Sequence, residues 1–488
     1  MCLGLSETII CLTISSVVLN NDKSQYKIAI LGGGPGGYEA ALVAAHLGAD
    51  VTIIERKGMG GSAVLTDVVP SKTLIASADL MTRFSAIDEL GIEIVDGDDK
   101  YALRTNLHKV NTRLLNLAQQ QSNDIKRAME KQGVKIIDGT GRVKDRNTVT
   151  VDDINGLSYD IQADYIMLAV GTHPRELETA KPDGKRILNW TQLYHLEDLP
   201  EHLIVVGSGV TGAEFASAYN GLGTKVTLIS SRDRVLPGED EDAATLLENV
   251  FERRGVTVMP RSRAEAAEYN EAGDGVIVTL ADGRKVAGSH VLIAVGSIPN
   301  TEGIGLENTG IETTESGHIL VDRVSRTSVS NIYAAGDCTG VLPLASVAAM
   351  QGRIAVAHMV GDAVKPLRTH QVAANIFTAP EIATVGVSEK EVEEGKYQAD
   401  IFKLSLTTNP RAKMMAVNEG FVKIISRKHS GTVIGGVVVG PRASELIFPI
   451  SLAVDKKLHV DDIAEAFTVY PSLSGSISEA ARQLHQML

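Results

Sequence analysis

Short apolar runs that stop at glycine set the pattern of this chain. Residues 27–31, Lys-Ile-Ala-Ile-Leu, run into Gly-Gly-Gly-Pro-Gly-Gly. Tyr38 to Gly48 then reads as a helix, and 50–55, Asp-Val-Thr-Ile-Ile-Glu, is again strand-like. Strand, glycine turn, helix and strand predict a βαβ unit, whose parallel strands require helices on the faces of the sheet. The same internal order returns between His202 and Ser230. From Ser71 to about Met129 apolar positions recur every three or four residues, which predicts helix, and glycine-bounded strands follow over 134–145 and 148–151. Residues 164–174 and 290–300 each carry a hydrophobic strand into Gly-x-x-Pro, beginning at Gly171 and Gly296, the pattern expected where a chain crosses between domains. Beyond about Arg368 the texture changes. Residues 421–428 and 433–440 read as adjacent antiparallel strands, and 444–457 and 461–467 as helices, so a terminal α+β domain is expected.

A length of 488 residues fits several domains. With 44% hydrophobic residues, 22% charged and 46 glycines, the chain is expected to be globular and rich in tight turns. Its net charge of −13, with no long basic tract, argues against a nucleic-acid or anionic-membrane surface. Cys2, Cys11 and Cys338 form neither a CxxC pair nor a zinc-ligand spacing, a usage that fits a reducing cytoplasm. The apolar stretch Ile9 to Leu19 contains Thr and Ser, is roughly half the length of a membrane span, and has no basic residues before it. Residues 1–23 are therefore expected to be an extension, neither signal peptide nor anchor.

Two glycine fingerprints carry the chemistry. In the first, Gly32 permits a tight turn, Gly34 lets a pyrophosphate approach the backbone, and Gly37 lets the helix pack closely on the strand. Glu55, at the end of the next strand, can accept hydrogen bonds from ribose hydroxyls, while the helix N-terminus faces the phosphates. The second fingerprint is Gly207, Gly209 and Gly212. Its second strand ends in Ser230-Ser231-Arg232 where the first ends in an acid. Hydroxyls and a guanidinium can hold the 2′-phosphate of NADPH that a carboxylate would repel, so NADPH is expected over NADH, with NADH possible. The bland alternative is that Arg232 and Arg234 are surface charges pairing with the acidic run Glu239 to Asp242. Two dinucleotide sites in one chain imply electron transfer between bound dinucleotides, for which a flavin opposite a nicotinamide is suited.

With these residues in place, the sequence from Lys27 to Leu488 closely resembles the flavoprotein family that includes dihydrolipoamide dehydrogenase and glutathione reductase. Residues 332–337, Ile-Tyr-Ala-Ala-Gly-Asp, resemble the family's second flavin motif, with Asp337 on the ribityl chain. Gly139-Thr-Gly141 is similar to the stretch near the adenine, and Ala345 lies in the segment 343–350, Pro-Leu-Ala-Ser-Val-Ala-Ala-Met, which resembles an actinobacterial branch of NAD(P)H:quinone reductases. The resemblance implies an α/β fold of two Rossmann-like domains, one for FAD (24–172 and 291–367) and one for NAD(P) (173–290). A C-terminal α+β dimerisation domain (368–488) would follow, in a homodimer whose subunits complete each other's sites.

The chain departs from the family where thiols should be. The usual Gly-Gly-Thr-Cys, four residues, Cys-x-Pro-Ser-Lys is here Gly60-Gly61-Ser62-Ala63-Val64-Leu65-Thr66-Asp67-Val68-Val69-Pro70-Ser71-Lys72. Ala63 and Val68 stand in place of both cysteines and cannot cycle as a disulfide. The family's partner-subunit base and its orienting carboxylate become Tyr470 and Gly475, and a tyrosine is a poor base near neutral pH. Lipoamide and glutathione are thus poor candidate substrates. The expected activity is NADPH (or NADH) to FAD to a small quinone-like acceptor, with Lys72 near flavin N5, Glu214 its partner, and Tyr470 at the acceptor. The rivals are a flavin-dependent NAD(P) transhydrogenase or diaphorase, and, outside enzymes, a regulatory or scaffold protein retaining FAD only to fold. No metal is expected.

Overall fold

A computed structural model describes residues 26–84, 87–92 and 104–485. The extension expected over 1–23, with Cys2 and Cys11, lies outside them.

The first fingerprint forms the expected unit: strand Lys27–Leu31, helix Pro35–His46, strand Asp50–Glu55. The two strands pair in parallel with Lys27 opposite Asp50. They lie in a seven-stranded sheet whose order runs Ile332–Ala334, Tyr165–Leu168, Lys27–Leu31, Asp50–Glu55, Lys135–Asp145, Thr148–Asp153, Ser158–Gln162. The first five strands are parallel and the last two extend the edge as an antiparallel meander. Ile28, Ile30 and Ile53 are buried under the Pro35–His46 helix, each stabilising the layer by roughly 1.5–3 kcal/mol. That helix lies against helix Ala345–Met359 so closely that a Cβ placed on Gly352 would fall 2.3 Å from the Gly36 carbonyl oxygen. This contact fixes the strand-to-helix loop 335–344, and Asp337 with it.

The second fingerprint repeats the unit as strand His202–Val206, helix Val210–Leu222 and strand Lys225–Ile229. Its parallel sheet runs Thr257–Met259, Lys225–Ile229, His202–Val206, His290–Ile293, Ile187–Leu188. The strand His290–Ile293 belongs to this sheet, so the boundary expected at 290/291 is corrected to the chain crossing that follows it. A run of apolar residues shows that a strand exists but not which sheet it joins. At the crossing, Thr172–Pro174 and Ser297–Pro299, the two Gly-x-x-Pro segments, pair antiparallel.

Helices Val68–Phe84 and Leu107–Lys131 supply the described part of the helical stretch expected between Ser71 and Met129. The terminal unit is a five-stranded antiparallel sheet, in which Phe421–Arg427 and Val433–Gly440 are adjacent as expected, with short helices on one side. Among the described residues no helix is long and apolar enough to cross a membrane.

Candidate active site

The two fingerprints share a geometry that the spacing of their glycines anticipates. A Cβ on Gly32 (φ +101°) would lie 2.2 Å from the Ala169 carbonyl oxygen, and one on Gly207 (φ +112°) 2.2 Å from that of Ala294. A Cβ on Gly37 would meet the Gly32 oxygen at 1.9 Å, and one on Gly212 the Gly207 oxygen at the same 1.9 Å. These four positions are closed by the protein's own backbone. Gly34 and Gly209 behave differently, for a Cβ there would meet nothing within 4 Å. Each opens a helix whose first N–H groups point outward, the arrangement that receives a phosphate.

Gly34 faces a cleft of about 1030 Å³ lined also by Gly32, Glu55, Gly141, Gly171, Asp337 and Ala345, so seven of the residues singled out in the sequence meet there. The Glu55 carboxylate is buried and accepts hydrogen bonds from the Gly33 N–H at 2.7 Å and the Lys57 N–H at 2.6 Å. Asp337 follows Gly336, whose N–H is held by the Gln351 amide at 2.8 Å, and burial holds its carboxyl above the usual range. A cradle of this volume, with an open phosphate position and two carboxylates for hydroxyl groups, fits an FAD. Gly296 lies outside the cleft lining, at the chain crossing, where its carbonyl accepts the Arg175 N–H at 2.9 Å.

One wall of the cleft is the segment 61–68, with Ala63 and Val68 both exposed to it. Just beyond, in helix Val68–Phe84, Lys72 reaches Glu214 of the second fingerprint's helix at 2.8 Å. Glu214 is 6% exposed and its other oxygen accepts the Phe377 N–H at 2.9 Å, while the Lys72 ammonium stands 5.0 Å from the Phe377 ring centroid. The pair therefore ties together all three sheets' domains at the edge of the cleft. Sequence reasoning passed over Asp67, which lines the same wall. Burial pushes its carboxyl up to about 6, against the pull of Lys72 and with the push of Glu214 and Asp337. The available signal was a lone acid in an otherwise uncharged stretch.

At the second site the hydroxyl of Ser230 turns inward. It is fully buried and bonded to the Ser208 hydroxyl at 2.7 Å, and it accepts the Arg232 N–H at 3.1 Å. Ser231 and Arg232 are exposed. Arg234 pairs with Glu241 at 2.9 Å, whereas the Arg232 side chain has no ion-pair partner among the described residues. Tyr470 is 82% exposed, in an apolar patch with Phe467 and Val469, and does not line its own subunit's cleft. Cys338, the described cysteine, is fully buried and its thiol is pushed up to about 12 by desolvation, which leaves it inert as a thiolate.

Residues 26–352 match the family model described as pyridine nucleotide-disulphide oxidoreductase, and 372–481 that family's dimerisation domain. The chain is 51% identical over 467 residues to an NAD(P)H dehydrogenase (quinone) of Mycobacterium tuberculosis, covering 94% of each protein. It is 32% identical over 469 residues to a dihydrolipoyl dehydrogenase of Bacillus subtilis, covering 94% of this chain and 98% of that one. The crystal structure of LpdA from Mycobacterium tuberculosis superposes with a TM-score of 0.89 at 50% identity, over 94% of this chain and all of the other.

Proposed function

The chain belongs to the pyridine nucleotide-disulphide oxidoreductase family, which binds FAD and a pyridine nucleotide, and from that premise we propose that it is an NAD(P)H:quinone oxidoreductase working without a redox disulfide. The observation that carries this reading is the cleft wall at Ala63 and Val68, where side chains without redox chemistry stand in the family's cysteine positions. Bound FAD supplies the two-electron relay between a nicotinamide and an acceptor.

The residues around it bind and orient. Gly34 and the helix it opens take the pyrophosphate, Glu55 the adenosine ribose, and Asp337 the ribityl hydroxyls. Lys72, held by Glu214, sets a fixed positive charge at the edge of the cleft that favours an electron-rich ring beside it. Gly209 opens the nicotinamide dinucleotide site, and Ser231 and Arg232 favour NADPH over NADH. Ala63 and Val68 offer a low-polarity wall to a flat conjugated acceptor, and Tyr470 of the partner subunit, in a homodimer, closes that side.

The test is anaerobic. NADPH should bleach the flavin, and a small para-quinone should restore its colour rapidly while lipoamide does not. Arg232→Ala should weaken NADPH over NADH by ~1–3 kcal/mol in kcat/KM, the range of a charge-assisted contact. Rapid lipoamide turnover, or faster reoxidation by NAD⁺ than by quinone, refutes the assignment.

A further inference from the structure

The cleft wall left without thiols contains one titratable side chain. Of the cleft-lining residues between Gly61 and Val68, only Asp67 can carry a proton across the neutral range. Its backbone carbonyl accepts the Ser71 N–H at 2.8 Å, which anchors the residue at the start of helix Val68–Phe84. Its carboxyl, in contrast, has no hydrogen bond or ion pair among the described residues. Asp67 is half-buried in the cleft wall, where a carboxyl with no partner in its own chain is placed to meet a bound molecule. The charged groups around it are Lys72 from the helix that follows it, Glu214 from the second fingerprint's helix and Asp337 from the loop after Ile332–Ala334; the buried Tyr194 hydroxyl senses it too. Two carboxylates against one ammonium, with burial acting the same way, favour the protonated form.

We propose that Asp67 is the proton donor to the electron acceptor in this cleft. The inference rests on the quinone-reductase reading. Reduction of a quinone consumes NADPH, one proton and the quinone, and yields NADP⁺ and the hydroquinone. The hydride equivalent, two electrons and one proton, originates on the nicotinamide. The remaining proton comes from Asp67: its O–H bond breaks, an O–H bond forms on the quinone carbonyl oxygen, and the carboxylate is reprotonated by water at the cleft mouth. Lys72 does not fill this role because its charge is engaged at 2.8 Å by Glu214. Cys338 does not either, being fully buried and absent from the cleft lining, with its thiol donating to the Ala335 carbonyl.

The experiment uses the full-length, FAD-loaded protein and two acceptors, a small para-quinone, which needs the proton, and ferricyanide, which takes electrons alone. In the wild type the ratio of quinone to ferricyanide rates should fall as pH rises through the Asp67 transition, since the active form is the protonated one. Asp67→Asn should lower that ratio by at least ~100-fold at acid pH and flatten its pH dependence, with part of it restored in Asp67→Glu. Independently of turnover, infrared titration of the oxidised protein should show a carboxyl C=O band with a midpoint at or above about 6 that is missing from Asp67→Asn. An Asp67→Asn ratio within about twofold of wild type, an equal loss with both acceptors, or an unaltered infrared spectrum overturns the proposal. If instead the wild type reduces ferricyanide but no quinone, the function reading fails, and the infrared band still reports whether Asp67 holds a proton in the cleft.

Discussion

Glycines 209 and 212 sit three residues apart in one fingerprint, and the structure assigns them different tasks that substitution by alanine separates. Gly209 has φ −73° and ψ −172°, extended backbone that any residue adopts, and its Cβ would meet nothing within 4 Å. Gly209→Ala should therefore leave stability within about 0.5 kcal/mol of wild type, as expected of a change that touches no packed atom. The added methyl would project into the open space that the proposed site assigns to a pyrophosphate. Losing one charge-assisted backbone contact costs ~1.5–3 kcal/mol, so the dissociation constant for NADPH should rise by about 10- to 150-fold. At Gly212 the Cβ would lie 1.9 Å from the Gly207 oxygen and 3.5 Å from the Val205 side chain. Helix propensity favours alanine there by up to ~1 kcal/mol, but the backbone oxygen cannot yield without moving the strand, and overpacking costs typically ~1–3 kcal/mol. Gly212→Ala should thus lower the urea midpoint before any ligand is added. Calorimetric titration with NADPH and urea unfolding of both variants separate the effects. If Gly209→Ala binds NADPH as wild type does, or is destabilised as much as Gly212→Ala, the assignment of the open position to a phosphate is wrong.

Two further outcomes follow from side-chain partners. Lys72→Met leaves the Glu214 carboxylate, 6% exposed, with only the Phe377 N–H, and since the lysine keeps 26% exposure the loss should sit below the ~3–5 kcal/mol of a fully buried pair, near ~2–3 kcal/mol. A double-mutant cycle with Glu214→Gln that gives no coupling would remove the pair from the ledger. Asp79, in helix Val68–Phe84, is raised to about 6 by burial and then by Glu381, against Arg83 and Arg254. A raised carboxyl favours the folded state most below its unfolded value and loses that advantage as pH rises through the folded one. Wild-type stability relative to Asp79→Asn should accordingly fall between about pH 4 and pH 7, and a difference in urea midpoint that is constant or rises over that range contradicts the sign.

What could be read from sequence is what local sterics decide. Gly32, Gly37, Gly207 and Gly212 are each required by a backbone oxygen within 2.2 Å of an imagined Cβ, so their spacing announces the turn, the strand before it and the helix after it. The antiparallel pairing of Phe421–Arg427 with Val433–Gly440 was legible for a similar reason, because the two runs are joined by a short polar link. Non-local placement was not legible. His290–Ile293 is apolar enough for either parallel sheet, and only its packing beside His202–Val206 decides. The position of Asp67 depends on how helices Gly61–Leu65 and Val68–Phe84 lie against the Asp337 loop, contacts that span most of the chain. The motif nominates Tyr470 for a partner subunit's site, and its 82% exposure is what such a role requires, but a single chain holds no contact that could place it.

The same cradle carries opposite chemistry at its two strand ends, and side-chain volume explains how. In the first unit Ile54 is followed by Glu55 and in the second Ile229 by Ser230, at equivalent points of registers in which Lys27 faces Asp50 and His202 faces Lys225. A Cβ on Gly33 would lie 3.1 Å from the Glu55 Cγ and 2.9 Å from the Met59 sulfur, so the larger acid requires glycine opposite it. The second unit has Ser208 opposite Ser230, and the two hydroxyls close the gap at 2.7 Å. The exchange of glycine with acid for serine with serine preserves the turn while removing a negative charge from the strand end. With Ser230 committed to Ser208 and to the Arg232 N–H, the proposed discrimination at the second site would fall to groups outside the turn, Ser231 and the Arg232 guanidinium, which has no ion-pair partner among the described residues. The proposed preference for a 2′-phosphate thus rests on one exposed cation next to a strand end made neutral, and not on the buried serine that the motif alone would nominate.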